Sequence, residues 1–245
     1  MDIRFQGIVV IVGNYGSGKT EVAINLALAC RPREDDVRLV DLDLVNPYFR
    51  TREARDLLKA NAIDLVLPPA PYLNADLPIV SPAVSGAIRR AGPLTILDVG
   101  GDEAGATVLA SLADAFRGQK VQMLQVINSH RPNTNTVAGC QAMRAEIEAA
   151  AHLSVNGWIG NDHLMAATTP DTVREGYRFA SEVSRASGLP LAFITAPQAL
   201  IDRLDLNVIG CPVLPIQRQL IMPWQMAGAG AAQKFGPPGG STGRS

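Results

Sequence analysis

Cysteine, histidine, aromatic residues and charge are all sparse in this chain of 245 residues, and each scarcity closes off a class of function. The cysteines, Cys30, Cys140 and Cys211, are odd in number, far apart and free of any C-x-x-C pair. A disulfide framework and a cysteine zinc site are therefore not expected, and a reducing, cytoplasmic location is. His130, His152 and His163 have no metal-ligand spacing, and neither a G-x-S-x-G elbow nor a Cys/His nucleophile arrangement occurs. Charged residues make up 18%, and 22 Lys+Arg against 23 Asp+Glu leave a net charge of −1. No basic field draws such a chain to nucleic acid or to an anionic membrane, so neither partner is expected. The longest early apolar run, IVVIV at 8–12, has five residues, where a membrane span needs about twenty. Asp2 sits where an export signal wants positive charge, so export is not expected either.

What the chain has instead is apolar bulk, with 47% hydrophobic residues and enough length to bury a sizeable core without covalent staples. Short β-branched runs at 7–12, 37–42, 63–67, 94–99, 121–127, 155–159, 191–195 and 208–214 read as strands with no polar face. Between them lie helix-like stretches such as EVAINLALAC, TREARDLLKA, NTVAGCQAMRAEIEAA and TVREGYRFASEVSRAS. This alternation predicts an α/β fold of three layers: a mostly parallel sheet of about seven or eight strands with helices on both faces. The prolines of PPAPYLNADLPIVSP, from Pro68 to Pro82, exclude a regular helix or central strand and predict a long surface excursion. Residues 1–226 read as one domain, and the small, Gly-rich stretch 227–245 as a disordered tail. IQRQLIMPWQMA, at 216–227, is expected to pack against the domain, because Pro223 breaks it and Arg218 is its one basic residue.

After the first strand comes GNYGSGKT, Gly13 to Thr20, and then a helix that opens with Glu21. This fits G-x-x-x-x-G-K-[ST] in the context that gives the pattern meaning: a strand, a glycine turn and a helix start. Gly13, Gly16 and Gly18 let backbone amides turn inward around a polyphosphate without Cβ clashes. Asn14, Tyr15 and Ser17 complete that loop, and the first helical turn as far as Glu21 adds N–H groups at a positive dipole end. Lys19 is expected to carry its charge to the β- and γ-phosphates, and Thr20 to offer a hydroxyl to Mg2+. VRLVDLDLVNPYF ends a strand with Asp41 and Asp43, and LTILDVGGDEAG ends another with Asp98 before Gly100 and Gly101. An acid leaving a strand beside the loop can hold a water of the Mg2+ shell, and Gly101 lets an amide reach the γ-phosphate. Asp102 and Glu103 extend that acidic loop.

Together GNYGSGKTEVAINLALA, DLDLVNP and ILDVGGDEAG resemble the SIMIBI class of P-loop NTPases, and within it the MinD/ParA/CobQ-like group, over residues 7–215. The resemblance implies binding and hydrolysis of Mg-ATP. By carry-over, Asp43 joins Lys19 in catalysis as the acid that positions or activates the attacking water, and Asp41 and Asp98 are magnesium-shell acids. Asn161, in VNGWIGNDHL, falls where the class uses an asparagine on the purine edge, with Thr195, Ala196 and Pro197 as the other wall. Leu164 stands where a guanine-reading NKxD pattern wants an acid, so adenine is expected over guanine. One departure matters: the signature lysine that this group sends across a dimer would fall at Asn14. An ATP-driven homodimer is therefore not expected, and Arg50, Arg52 and Arg131 are the arginines that could replace the lysine.

By analogy the expected role is a nucleotide switch that activates, matures or energises a client metallo- or redox enzyme. The client would meet the sheet edge carrying the excursion from Pro68 to Pro82 and the loop NSHRPNTN from Asn128 to Asn135. One alternative is an ATP-dependent carboxylate-activating ligase of the dethiobiotin-synthetase or cobyric-acid type. Another is a positioning ATPase, against which the near-neutral charge counts.

Overall fold

The computed structural model describes residues 3–34, 36–43, 51–67, 82–101 and 103–220. Arg50, Asp102, the excursion from Pro68 up to residue 81 and the stretch 227–245 lie outside the described residues. Among the described residues there are eight strands: β1 (Gly7–Gly13), β2 (Val37–Leu42), β3 (Asp64–Val66), β4 (Leu94–Val99), β5 (Val121–Ile127), β6 (Val155–Gly160), β7 (Leu191–Pro197) and β8 (Val213–Ile216). All pair in parallel, in the order β3-β2-β4-β1-β5-β6-β7-β8. The helices are α1 (Lys19–Cys30), α2 (Arg55–Ala60), α3 (Pro82–Arg89), α4 (Glu103–Ser111), α5 (Ala113–Phe116), α6 (Val137–Ala151) and α7 (Pro170–Ser187).

Successive side chains of β1 point to opposite faces and sort the core into two layers. Val9 and Ile11 meet Val22, Ala23 and Leu26 of α1, while Ile8, Val10 and Val12 meet Leu109, Phe116 and Ile147 of α4, α5 and α6. Because both faces are covered, every residue of β4 is buried, including Thr95 and Asp98. α1 is itself apolar almost all round, with Val22, Ala23, Ile24, Leu26 and Ala27 sealed from solvent, as a helix wedged into a core must be. All three cysteines are buried and free; burial pushes Cys30 and Cys211 up to about 11 and Cys140 to about 12. No helix among the described residues is long and apolar enough to cross a membrane.

The chain lays β2, β3 and β4 on one side of β1 and then β5 to β8 on the other. That reversal opens a crevice at the carboxyl ends of β1, β4 and β5, where α/β sheets hold their ligands. One boundary differs from the sequence reading, which ran the last strand over 208–214. β8 is Val213–Ile216 instead, and Val208 is 60% exposed, because Asp205 caps a turn at Asn207 and Gly210 and Pro212 interrupt the extended run.

Helix α7 approaches the crevice so closely that Gly176 has no room for a side chain: its Cβ would collide with Cβ and Cγ of Asp162, just past β6. Gly176→Val is expected to lower the unfolding free energy by about 1–3 kcal/mol, the usual cost of overpacking. Urea unfolding checks this; an unchanged midpoint would mean that α7 moves away freely.

Candidate functional site

The loop between β1 and α1 is built by three positive φ angles, 145° at Gly13, 72° at Gly16 and 89° at Gly18. Such angles are strained for residues with a Cβ, so the loop needs these glycines. A turn closes it, with Ser17 N–H donating to the Asn14 carbonyl at 3.2 Å. Lys19 folds back over the turn, is 6% exposed, and donates from Nζ to that same carbonyl at 3.1 Å. The first amides of α1 follow Gly18 and have no carbonyl one turn earlier in the helix to bond. Gly101 packs against the loop: a Cβ there would sit 2.8 Å from the amide nitrogen of Tyr15 and collide with Lys19 Nζ. The second glycine after β4 is thus required by contact, not by conformation.

On one side stand the acids. Asp41 and Asp98 are register partners across β2 and β4, and neither has any exposure. Asp41 takes an ion pair from Arg52 Nε at 3.0 Å and the Asp43 N–H at 3.1 Å. Asp98 Oδ2 accepts from the Thr51 hydroxyl at 2.7 Å. Burial, and then the charge of Asp41, pushes Asp98 up to about 7; burial also raises Asp41, against the pull of Arg52. Asp43, 4% exposed, follows β2 directly, and its carbonyl accepts from Arg52 Nη2 at 3.2 Å. Among the described residues, Asp98 Oδ1 and Ser17 Oγ are buried polar atoms without a hydrogen-bond partner. These oxygens, with the Thr20 hydroxyl three residues after Ser17, suit a hard divalent cation and its phosphate ligands.

On the other side the loop is gripped by residues 128–135. Asn14 Nδ2 donates to the Pro132 carbonyl at 2.7 Å, and Arg131 Nε to the Gly16 carbonyl at 2.8 Å. Asn14 Oδ1 takes the Tyr15 N–H at 2.7 Å, so the position expected for a bridging lysine braces its own loop. Arg52 and Arg131 are likewise engaged within the chain, at Asp41 and Gly16. Asn161 donates from Nδ2 to the Ser17 carbonyl at 2.6 Å and accepts from the Thr195 hydroxyl, which joins β6, β7 and the loop. Asp162 accepts from the backbone and hydroxyl of Ser129. Leu164 is 42% exposed at the rim, and Tyr15 projects outward at 65% exposure.

The Glu21 carboxylate accepts the backbone N–H of Gln219 at 3.1 Å and of Leu220 at 2.8 Å, because the chain after β8 returns across α1. Spacing alone singled out the glycines, Lys19 and the strand-end acids as candidates, and the structure brings them to one crevice. Spacing missed Thr51, Ser129 and Pro132, whose partners lie elsewhere in the chain and leave no periodic signal.

The raised Asp98 carries a testable sign. Between about pH 4 and pH 7 the folded protein keeps a proton that an unfolded carboxylate has released, so stability without ligand falls as pH rises through that window. Asp98→Asn is expected to narrow the difference between urea melts at about pH 5 and about pH 8. An equal difference in the variant would assign the buried proton elsewhere.

No family model matches the chain, and no curated protein matches its sequence. Solved structures do match by shape. FtsY from Thermotoga maritima superposes with a TM-score of 0.56 at 18% identity, covering 80% of this chain and 65% of that one. FtsY from Mycoplasma mycoides gives 0.52 at 20%, covering 79% and 62%. Chloroplast FtsY from Physcomitrella patens gives 0.52 at 18%, covering 78% and 58%. This chain therefore spans less than two thirds of the length of each. At such identities the likeness shows the fold alone, a parallel α/β sheet with helices on both faces.

Proposed function

We propose that the chain binds and hydrolyses Mg-ATP and works as a nucleotide switch on a client protein. The observation that carries this reading is the meeting, at one crevice, of a glycine-turned loop, a nearly buried lysine and three strand-end carboxylates. Lys19 exchanges the neutral Asn14 carbonyl for the charged β- and γ-phosphates, a stronger acceptor for an ammonium. The amides of the first turn of α1 and of Gly101 add donors around the phosphates. Thr20 would hold Mg2+, with Asp41 and Asp98 on its water shell, and the cation would supply neutralisation of the charge that builds on the leaving phosphate. Asp43 holds and orients the attacking water.

Switching follows from who holds the acids. Thr51 and Arg52 tie the start of the segment before α2 to Asp98 and Asp41, so the charge state of that pair and the position of this segment are linked. The loop 128–135 is linked as well, because Arg131 and Pro132 touch the phosphate loop while Pro132, Asn133 and Asn135 stay exposed toward a partner. A client metallo- or redox enzyme is the proposed partner at that edge. With Asn14 committed to Pro132, ATP alone is not expected to close two copies face to face.

Lys19→Ala is expected to abolish nucleotide binding in a protein that still folds, and Asp43→Asn to keep binding but slow turnover by roughly 10²-fold. Calorimetry and phosphate release separate the two effects. Parental turnover in Asp43→Asn would place water activation elsewhere.

Leu164 gives a guanine no carboxylate for its N1 and N2 donors, and an unmet donor costs about 1–3 kcal/mol. ATP is therefore expected to bind about tenfold or more tightly than GTP. Tighter GTP binding in a calorimetric titration would reverse the base assignment.

A further inference from the structure

The amino ends of the strands carry a second concavity, at the opposite edge of the sheet from the phosphate crevice. A cavity of about 530 Å³ lies between the approach to β1, the exit turn of α1 and the start of β5. That volume falls within the range of small-molecule sites, roughly 300–1,000 Å³. α1 runs for 12 residues from Lys19 at the crevice to Cys30 at the cavity. Its length separates the two places by about 18 Å.

The lining sorts by chemistry. Ile3, Phe5 and Cys30 make an apolar side, since Ile3 and Phe5 pack on the core cluster that holds Cys30. Burial pushes the Cys30 thiol up to about 11, so it stays protonated and adds no negative charge. Around this side stand the exposed Arg4, Arg33 and Lys120, against one acid, Glu34. The chain as a whole has a net charge of −1, so the surplus of cations is local. A low-dielectric wall beside surplus positive charge concentrates the field on the cavity.

The walls are also fixed. The Phe5 ring meets the Phe193 ring edge-on, with centroids 6.1 Å apart. The Ile8 N–H donates to the Lys120 carbonyl at 2.9 Å, and a Cβ on Gly7 would collide with that same carbonyl. The exit turn of α1 is closed by the N–H groups of Arg33 and Glu34, both on the Cys30 carbonyl, at 3.0 and 3.2 Å. Walls that stand before a ligand arrives need little ordering when it binds. An inorganic anion would leave the apolar side unused, and a cation would be repelled.

We propose that this cavity binds a small organic anion with an apolar body, at a site separate from the nucleotide crevice. The body lies against Ile3 and Phe5, and the acidic group meets Arg4, Arg33 and Lys120.

The probe for the test is anilinonaphthalene sulfonate, an aromatic body with one negative charge, and phenylnaphthylamine is its uncharged counterpart. Both are titrated by fluorescence into the full chain and its variants. The parent is expected to bind the sulfonate at one saturable site. Arg33→Glu combined with Lys120→Glu is expected to weaken it about tenfold, as for two exposed ion pairs lost and reversed, while the uncharged probe binds as before. Arg4→Glu is expected to weaken it about threefold by the same reasoning, and it reports alone if the double variant fails to fold. Lys19→Ala, which removes the cation of the phosphate crevice, is expected to bind the sulfonate as the parent does. A parent that does not bind the sulfonate overturns the proposal, and so does unchanged affinity in the charge-reversed variants. Equal losses for the two probes would remove charge recognition, and loss in Lys19→Ala would put the sulfonate at the phosphate loop; either result overturns it too.

Discussion

Two carboxylates, Asp41 and Asp98, are register partners on adjacent strands and neither is exposed, and much of the site answers that constraint. Buried like charges cannot both stay ionised without compensation. Arg52 supplies a cation to one, the Thr51 hydroxyl a donor to the other, and Asp98 retains its proton up to about 7. The segment that begins at Thr51 is therefore placed by electrostatic need.

The opposite flank answers a different need. The loop between β1 and α1 leaves few of its own polar groups paired by regular structure, so side chains from distant strands hold it: Asn161 at Ser17, Arg131 at Gly16, and Asn14 reaching out to Pro132. Asp162 and Ser129 couple the loops after β5 and β6 to each other, and Gly176 lets α7 close over that pair. A loop suspended this way keeps its shape before a ligand arrives, which lowers the ordering cost of binding.

Much of this was legible from the chain and some was not, for a physical reason. Strands and helices announce themselves by period, and GNYGSGKT by spacing, because both are set by neighbours in sequence. DLD and DVGG could be placed at strand ends for the same reason. Hydrogen bonds such as Glu21 to Leu220 span 199 positions and have no period, so the sequence gives no sign that the Glu21 carboxylate holds the returning chain. The end of the last strand was lost to Gly210 and Pro212, whose local effect outweighed the apolar run around them.

Asp98 Oδ1 and Ser17 Oγ, two of the buried polar atoms left without a partner among the described residues, have a bearing on how this sequence can change. A buried acceptor or hydroxyl with no partner is a standing debt in the unliganded fold, of the order of 1–3 kcal/mol for each group. Selection for thermal robustness alone would replace both with apolar or self-satisfied side chains. An imperfect resting state at these two positions fits a site built to grip something else, and stabilising substitutions gathered there would be expected to trade away function.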